Sequence, residues 1–314
     1  MYESLLALDP IKINFSAAGM HAINIVLGFI MFGIALSIRP RKFLEIMKNP
    51  KSTLVGLASQ LIVLPALTFL LVILLYKYIT PTVALGMILV AACPGGNISN
   101  FMSSLSRANT ELSISLTATT TLTATFATPF NFSFWGGLYL NFVGKRSAAL
   151  LPQLHIDNAQ MFQTVFILLG VPLILGVLFA RFFPAITQKL IKPIQMLSIV
   201  FFMLMVVLAF SNNFELFLQH IFYVFIIVLL HNALALSAGF GMGTVFRLPN
   251  ADRRTLTIET GIQNSGLGLV LLFNPKIFPP DMALGGMLFV AAWWGIWHII
   301  SGLAIANIWH RKNP

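Results

Sequence analysis

Nine acidic residues occur in 314, and eight of them fall in the N-terminal segment, in expected loops or near the ends of apolar stretches: Glu3, Asp9, Glu45, Glu111, Asp157, Glu215, Asp252 and Asp281. The ninth, Glu259, lies inside an apolar stretch, within Thr255-Leu-Thr-Ile-Glu-Thr-Gly-Ile-Gln-Asn-Ser-Gly266, with Gln263, Asn264 and Ser265 following. A carboxylate there is costly unless it faces protein or water. Thr260-Gly261 and Ser265-Gly266 can interrupt a helix, and interrupted backbone survives at membrane depth only where protein or a water-filled cavity covers it. A second such segment is Cys93-Pro-Gly-Gly-Asn-Ile-Ser-Asn100. Pro94 removes a backbone donor and clashes with the preceding turn. Gly95 and Gly96 permit non-helical dihedrals, and Asn97, Ser99 and Asn100 offer oxygen atoms. A Pro-Gly-Gly alone reads equally well as a packing kink. Two interrupted polar spans, one in each half of the chain, point instead to a transporter site at the midplane.

The chemistry implied is hard-cation binding. Hydroxyls, amide carbonyls, freed backbone carbonyls and one carboxylate form an oxygen-only set, which suits an ion such as Na⁺. The carboxylate offsets the ion's charge in a low-dielectric site. Half-helix N-termini beside the breaks present free N–H groups to an anion. One region can therefore hold cation and anion together, as a symporter requires. Gln60, also within an apolar stretch, needs a partner there. The stretch 111–139 is rich in hydroxyls, most of which are expected to bond the carbonyl one turn back. Ser113 and Thr117 stand one turn apart on one face, so they fit either that role or a ligand pair. For His231-Asn232 and His298 the residues alone favour helix–helix hydrogen bonds over ligand contact, and Cys93 reads as a small packing residue.

These residues must be positioned by membrane helices. The chain is 58% hydrophobic and only 9% charged, where a soluble domain carries about 25% charged residues. Its mean hydropathy is +0.88. A soluble enzyme, a disordered chain and a secreted disulfide scaffold are excluded, the last also by the single cysteine. The fold class expected is an all-α polytopic membrane protein with nine transmembrane helices. The spans fall near 20–38, 53–76, 82–106, 111–139, 160–181, 194–212, 220–246, 255–273 and 282–309. The long third and fourth spans suggest tilt or interruption. The first charges are Glu3 and Asp9, so the start does not read as a signal peptide.

The net charge of +10 could suggest nucleic acid. Its distribution says otherwise. With the N-terminus outside, 14 of the 19 Lys and Arg residues fall on inner segments and 5 on outer ones. That asymmetry is a topology signal, giving an external N-terminus and a cytoplasmic C-terminus. Arg39-Pro40-Arg41-Lys42 fits the same signal better than a dedicated lipid-headgroup patch. The partners expected are the lipid bilayer and a small organic anion, with no nucleic acid and no protein partner.

The two interrupted segments resemble the paired motifs of the bile acid:sodium symporter family. Cys93–Asn100 is similar to its CPGG-x-x-SN segment, and Thr255–Gly266 to its E-x-G-x-Q-N-S segment. His231-Asn232 and Trp297-His298-Ile-Ile-Ser301-Gly302 match family patterns in the same order, and the likeness runs from about Ile30 to the last span. The chain looks like a bacterial-type homologue, placed in the inner (cell) membrane. The resemblance implies two inverted repeats within one integral membrane domain, 1–314. A panel would be formed by helices at 20–38, 160–181 and 194–212. A core would be formed by the remaining six, with two discontinuous helices crossing at their breaks. Nothing before residue 20 can make the first helix of ten-helix members, hence nine.

The resemblance also implies two Na⁺ ions. The first site carries over to Ser99, Asn100, Ser113, Thr117 and Glu259. The second carries over to Gln60, Glu259 and Gln263 with the backbone carbonyls of Thr260 and Ile262. Substrate contacts carry over to Asn97, Asn264 and His298. Members move bile acids, steroid sulfates or smaller acids such as pantoate and pyruvate, and nothing here selects among them.

The function expected is therefore sodium-coupled import of an organic anion by alternating access. A proton-coupled carrier with Glu259 as relay is the alternative, although many neutral oxygen ligands serve a proton no purpose. An enzyme is not expected: no His-Glu-x-x-His, no Gly-x-Ser-x-Gly and no second intramembrane acid is present. An ion channel fits poorly with two broken helices in inverted halves.

Overall fold

The computed structural model describes residues 1–10, 25, 28–29, 31–33, 35–36, 50–144, 158–211, 214–274, 276–279 and 282–312. The expected span 20–38 and the basic residues Lys12, Arg39, Arg41, Lys42, Lys48, Lys145 and Arg146 lie largely or wholly outside them. Among the described residues the protein is helical, with a single isolated antiparallel bridge between Gly95 and Gln263. Three helical stretches, Pro50–Leu74, Leu218–Val245 and Gly285–Arg311, are long and apolar enough to cross a membrane.

The elements run as follows. A short α1 covers Tyr2–Leu6. Helix α2 covers Pro50–Leu74 and contains a π turn over Ser59–Val63. Helices α3 (Pro81–Ala92) and α4 (Ile98–Leu105) flank the first break, and α5 spans Thr110–Gly144. Helix α6 passes through Asn158–Val165, a π turn at Phe166–Gly170 and Val171–Phe182, followed by α7 (Pro184–Ser211) and α8 (Phe214–Val245). Helices α9 (Asn250–Gly261) and α10 (Ser265–Leu272) flank the second break, and α11 spans Gly285–Lys312.

Of the two stretches expected to be tilted or interrupted, 82–106 breaks at Pro94-Gly95-Gly96 while 111–139 belongs to an unbroken helix with Pro129 inside it. The difference is local chemistry. The hydroxyls of Thr119, Thr120 and Thr123 donate to the carbonyls of Ser115, Leu116 and Thr119 at 2.8–2.9 Å. They follow the helix rather than compete with it.

The main apolar core surrounds α3, every residue of which is buried. It lies against α11 at two close approaches. A Cβ on Gly86 would stand 2.8 Å from the Met287 Cα, and one on Gly286 would stand 2.7 Å from the Val83 backbone N. Only residues without a side chain let two helices approach so closely. Leu5 and Leu8 are buried in the same core, so residues 1–10 are part of the packed structure. Asp9 accepts hydrogen bonds from Thr80 and Thr82 at the N-terminus of α3. Burial raises the pKa of its carboxyl, while the two hydroxyls pull the other way.

A second polar knot joins the starts of α2, α5 and α9. Asp252, expected as a span-end acid, is buried. It accepts from Ser52 at 2.5 Å and from the Asn109 amide at 2.8 Å. Asn109 also caps α5 by accepting from the Leu112 N–H at 3.1 Å, and its carbonyl accepts from Thr255 at 3.0 Å. The knot fixes the direction in which α9 enters the bundle, two turns before Glu259.

Candidate functional site

Each break follows from its sequence. Cys93 precedes a proline, which disfavours α-helical dihedrals, and it is extended at φ −73°, ψ 156°. Gly261 ends α9, Ile262 turns away at φ −113°, ψ 80°, and α10 begins after Asn264, whose Oδ1 accepts from the Leu267 N–H. The two breaks cross and satisfy each other's backbone. Gly96 N–H donates to the Ile262 carbonyl at 2.7 Å and Asn264 N–H to the Pro94 carbonyl at 2.8 Å. Groups freed from the helices thus find partners in protein, as they must where water is absent.

Glu259 is fully buried beside this crossing. Its Oε1 accepts from Ser99 and Ser113 at 2.5 Å each and from Thr117 at 3.1 Å, and its Oε2 accepts from Thr117 at 3.0 Å. The Asn100 Oδ1 completes the group, 3.0 Å from the Ser113 hydroxyl oxygen and 3.4 Å from that of Thr117. Five residues from α4, α5 and α9 converge, all through oxygen. Each hydroxyl has one proton and two lone pairs, so it can serve the carboxylate now and a cation by rotation. Ser113 and Thr117 aim at Glu259, whereas Thr119, Thr120 and Thr123 bond their own helix. The residues alone left that choice open.

The other edge of the carboxylate faces Gly95. An ideal Cβ there would stand 2.9 Å from the Glu259 Oε2 and 3.0 Å from the Gln60 Oε1. Gln60 lies in the π turn of α2, buried, with neither amide atom hydrogen-bonded. Gln263 donates to the Thr260 carbonyl at 2.9 Å, and its Oε1 has no partner. Buried polar atoms are nearly always paired. An orphaned amide oxygen of Gln60 near the carboxylate, with a second unpartnered one on Gln263 at the same break, is an arrangement that a cation could satisfy. Thr260 meets Ser59 through its hydroxyl at 2.8 Å. The Ile262 carbonyl already receives the Gly96 N–H, with a second lone pair to spare.

Of the three residues expected at the substrate, Asn97 is the exposed N-cap of α4 and Asn264 the half-buried N-cap of α10. Both sit where a half-helix begins. His298 is buried on α11 with its Nδ1 unpartnered, and no hydrogen bond joins it to either asparagine.

His231 and Asn232 make interhelical contacts. His231 Nε2 pairs with the Thr68 hydroxyl at 2.8 Å, and its ring lies 4.7 Å from that of Trp294. Asn232 donates to the Gly261 carbonyl at 2.8 Å and accepts from Ser301 at 2.6 Å, tying α8 and α11 to the end of α9. Replacing Asn232 with alanine leaves a buried carbonyl and a hydroxyl without this partner. The expected cost is about 1–3 kcal/mol, read as a lowered thermal midpoint of the detergent-solubilised protein. An unchanged midpoint would show that the bond does not hold the break. Cys93 is buried at the crossing beside Gly268.

A family model described as the Sodium Bile acid symporter family matches residues 24–220. A Bacillus subtilis protein named an uncharacterized sodium-dependent transporter, YocS, is 30% identical over 92% of this chain and 83% of its own length. A probable chloroplastic sodium/metabolite cotransporter of rice, BASS2, is 29% identical over 85% of this chain and 62% of its own length. The human sodium/bile acid cotransporter 4 is 27% identical over 94% of this chain and 67% of its own length. The chain thus spans most of the bacterial relative but less than two thirds of the rice one.

Proposed function

The chain belongs to the sodium bile acid symporter family, one of sodium-dependent transporters and not of enzymes, and from that premise we propose that it imports a small organic anion coupled to sodium. The observation that carries this reading is the Glu259 carboxylate. One edge meets the hydroxyls of Ser99, Ser113 and Thr117, and the other stands over Gly95 near Gln60. The negative charge lies between two groups of oxygens, so a cation in either group has the same carboxylate beside it.

In this reading the first ion binds among Ser99, Asn100, Ser113, Thr117 and Glu259. The second binds among Gln60, Glu259, Gln263 and the carbonyls of Thr260 and Ile262. Bound cations raise the local potential, and the N-termini of α4 and α10 add to it. An anion's carboxylate or sulfate then finds Asn97 and Asn264 as donors, with His298 lining the approach. Cation and anion each reduce the cost of desolvating the other, which is the coupling free energy of symport. Helices α2–α5 and α8–α11 form the core that carries the site, and α6 and α7 with 20–38 form the panel against which it moves. The membrane is the bacterial inner membrane, with the N-terminus outside and the C-terminus cytoplasmic. The gathering of Arg254 with Ser106, and of His310 with Leu105, supports one common side for these loops.

The test is uptake by the reconstituted protein of taurocholate, pantoate and pyruvate in Na⁺, K⁺ or choline medium. Uptake of at least one probe is expected in Na⁺ alone. Equal uptake in all three media overturns sodium coupling, and uptake driven by a pH gradient in K⁺ medium favours the proton relay.

A further inference from the structure

Helix α2 departs from α-helical bonding where it carries Gln60, and its sequence says why. In an α-helix the Leu61 carbonyl accepts from the N–H four residues on. That residue is Pro65, which has no N–H. Just before the proline the helix loosens by one residue: Leu64 N–H donates to the Ser59 carbonyl, five residues back, and Ser59–Val63 form the π turn. A carbonyl deprived of its α-helical donor at membrane depth needs another in protein. Leu61 finds one on α5, where the buried Asn131 donates from Nδ2 to its carbonyl at 3.1 Å. Trp135, one turn further along α5, donates from Nε1 to the Asn131 Oδ1 at 3.2 Å, which fixes the end of the amide that faces α2. The Trp135 ring itself lies 5.3 Å from that of Phe69 on α2.

The π turn delivers two side chains to the crossing. Ser59 meets the Thr260 hydroxyl at 2.8 Å, and Gln60 brings its Oε1 to the space over Gly95 that the Glu259 Oε2 also borders. Gln60 has no hydrogen bond of its own at either amide atom. Its place beside the carboxylate is therefore inherited from the backbone that carries it. That backbone is fastened on one side by Ser59 to α9 and on the other by Thr68, which pairs with His231 of α8 at 2.8 Å. Between the two, at the residue next to Gln60, it is fastened by Asn131.

We propose that Asn131 is a positioning residue for the second cation: its amide holds the π turn of α2 and so sets the Gln60 oxygen beside Glu259. The proposal rests on the sodium reading of that place. A ligand side chain without partners loses rotamer freedom when an ion orders it, and a fixed backbone beneath it lowers that cost. Asn131 acts through the Leu61 carbonyl, one residue from the ligand.

The probe is Na⁺ alone. Purified protein in detergent is melted across a series in which choline chloride is replaced by NaCl at constant ionic strength, giving a midpoint without Na⁺ and a half-saturating Na⁺ concentration. Asn131→Leu lowers the midpoint in choline, since a carbonyl and an indole N–H lose their partner. Independently, it raises the half-saturating Na⁺ about tenfold, the loss typical of a group that orients a metal ligand. Gln60→Ala raises it at least as far, and Asn131→Leu added to Gln60→Ala raises it no further, because both act through one oxygen. Trp135→Phe keeps a ring against Phe69 but releases the Asn131 amide to turn. It raises the half-saturating Na⁺ about threefold, the worth of one hydrogen bond, and carries the test if Asn131→Leu does not fold. A lowered midpoint with half-saturation unchanged in the variant that folds makes Asn131 a structural residue and overturns the proposal, as do additive effects in the double variant. If Na⁺ does not stabilise the wild type, or Gln60→Ala leaves half-saturation unchanged, the sodium reading of this place fails and the proposal with it.

Discussion

Glu259→Ala abolishes sodium-driven uptake while the protein still inserts in the membrane. The carboxylate is fully buried and accepts from three hydroxyls on two other helices. A sodium ion beside it exchanges its hydration shell for these oxygens, and without a formal negative charge the low-dielectric surroundings return too little in exchange. Loss of one partner from a buried charge pair costs about 3–5 kcal/mol, a factor of a hundred or more in ion affinity. Glu259→Gln separates charge from shape. Its side chain keeps the volume and one acceptor, and the hydroxyls can accept from its amide, so the fold persists. Uptake falls nearly as far as with alanine, because the missing quantity is charge. The measurement is initial uptake rate against Na⁺ concentration for both variants, normalised to inserted protein. Sodium stimulation retained in Glu259→Ala removes the carboxylate from both sites, and normal uptake by Glu259→Gln shows that geometry alone suffices.

What could be read from sequence follows the cost of each group in a membrane. A carboxylate or a Pro-Gly-Gly in an apolar stretch is expensive, so Glu259, Gln60 and the break at Pro94 stand out from their neighbours by type. A hydroxyl is cheap, because its own helix offers a carbonyl one turn back. Ser113 and Thr117 are therefore indistinguishable by type from Thr119, Thr120 and Thr123. Only the position of α9 across from them separates the two groups. Asp252 is hidden for the opposite reason. An acid at a span end looks solvated, and nothing near it in the chain announces Ser52 and Asn109 as its partners. The N-terminal segment carries no span-length pattern, so the burial of Leu5 and Leu8 and the bonds to Asp9 were not legible at all. Asn232 was legible as an interhelical donor, but its target, the carbonyl that ends α9, depends on where the break falls. In each case local cost marks the unusual residue, and tertiary placement assigns the ordinary one.

The glycines of the first break give a test in which two adjacent substitutions have opposite outcomes. Neither Gly95 nor Gly96 has a positive φ, so alanine is sterically allowed by the backbone at both. They differ in what the added methyl meets. At Gly96 its nearest neighbours are backbone atoms of Ile262 and Gln263 at 3.4–3.6 Å, an ordinary contact. At Gly95 it meets the Glu259 Oε2 at 2.9 Å and the Gln60 Oε1 at 3.0 Å, both too close. The carboxylate cannot retreat freely, since Ser99, Ser113 and Thr117 hold its other edge. Gly95→Ala therefore separates the two oxygens by a methyl group and closes the place proposed for a second ion while leaving the first group of oxygens assembled. Overpacking of this kind costs about 1–3 kcal/mol, so uptake is expected to fall about fivefold or more. Its dependence on sodium should change from sigmoidal to hyperbolic. Gly96→Ala keeps both rate and sigmoidicity. If the two variants lose activity equally, the break needs glycine for its motion and not for the space over Glu259. If Gly95→Ala transports with sigmoidal sodium dependence, no ion binds between Glu259 and Gln60, and the carboxylate serves a single cation.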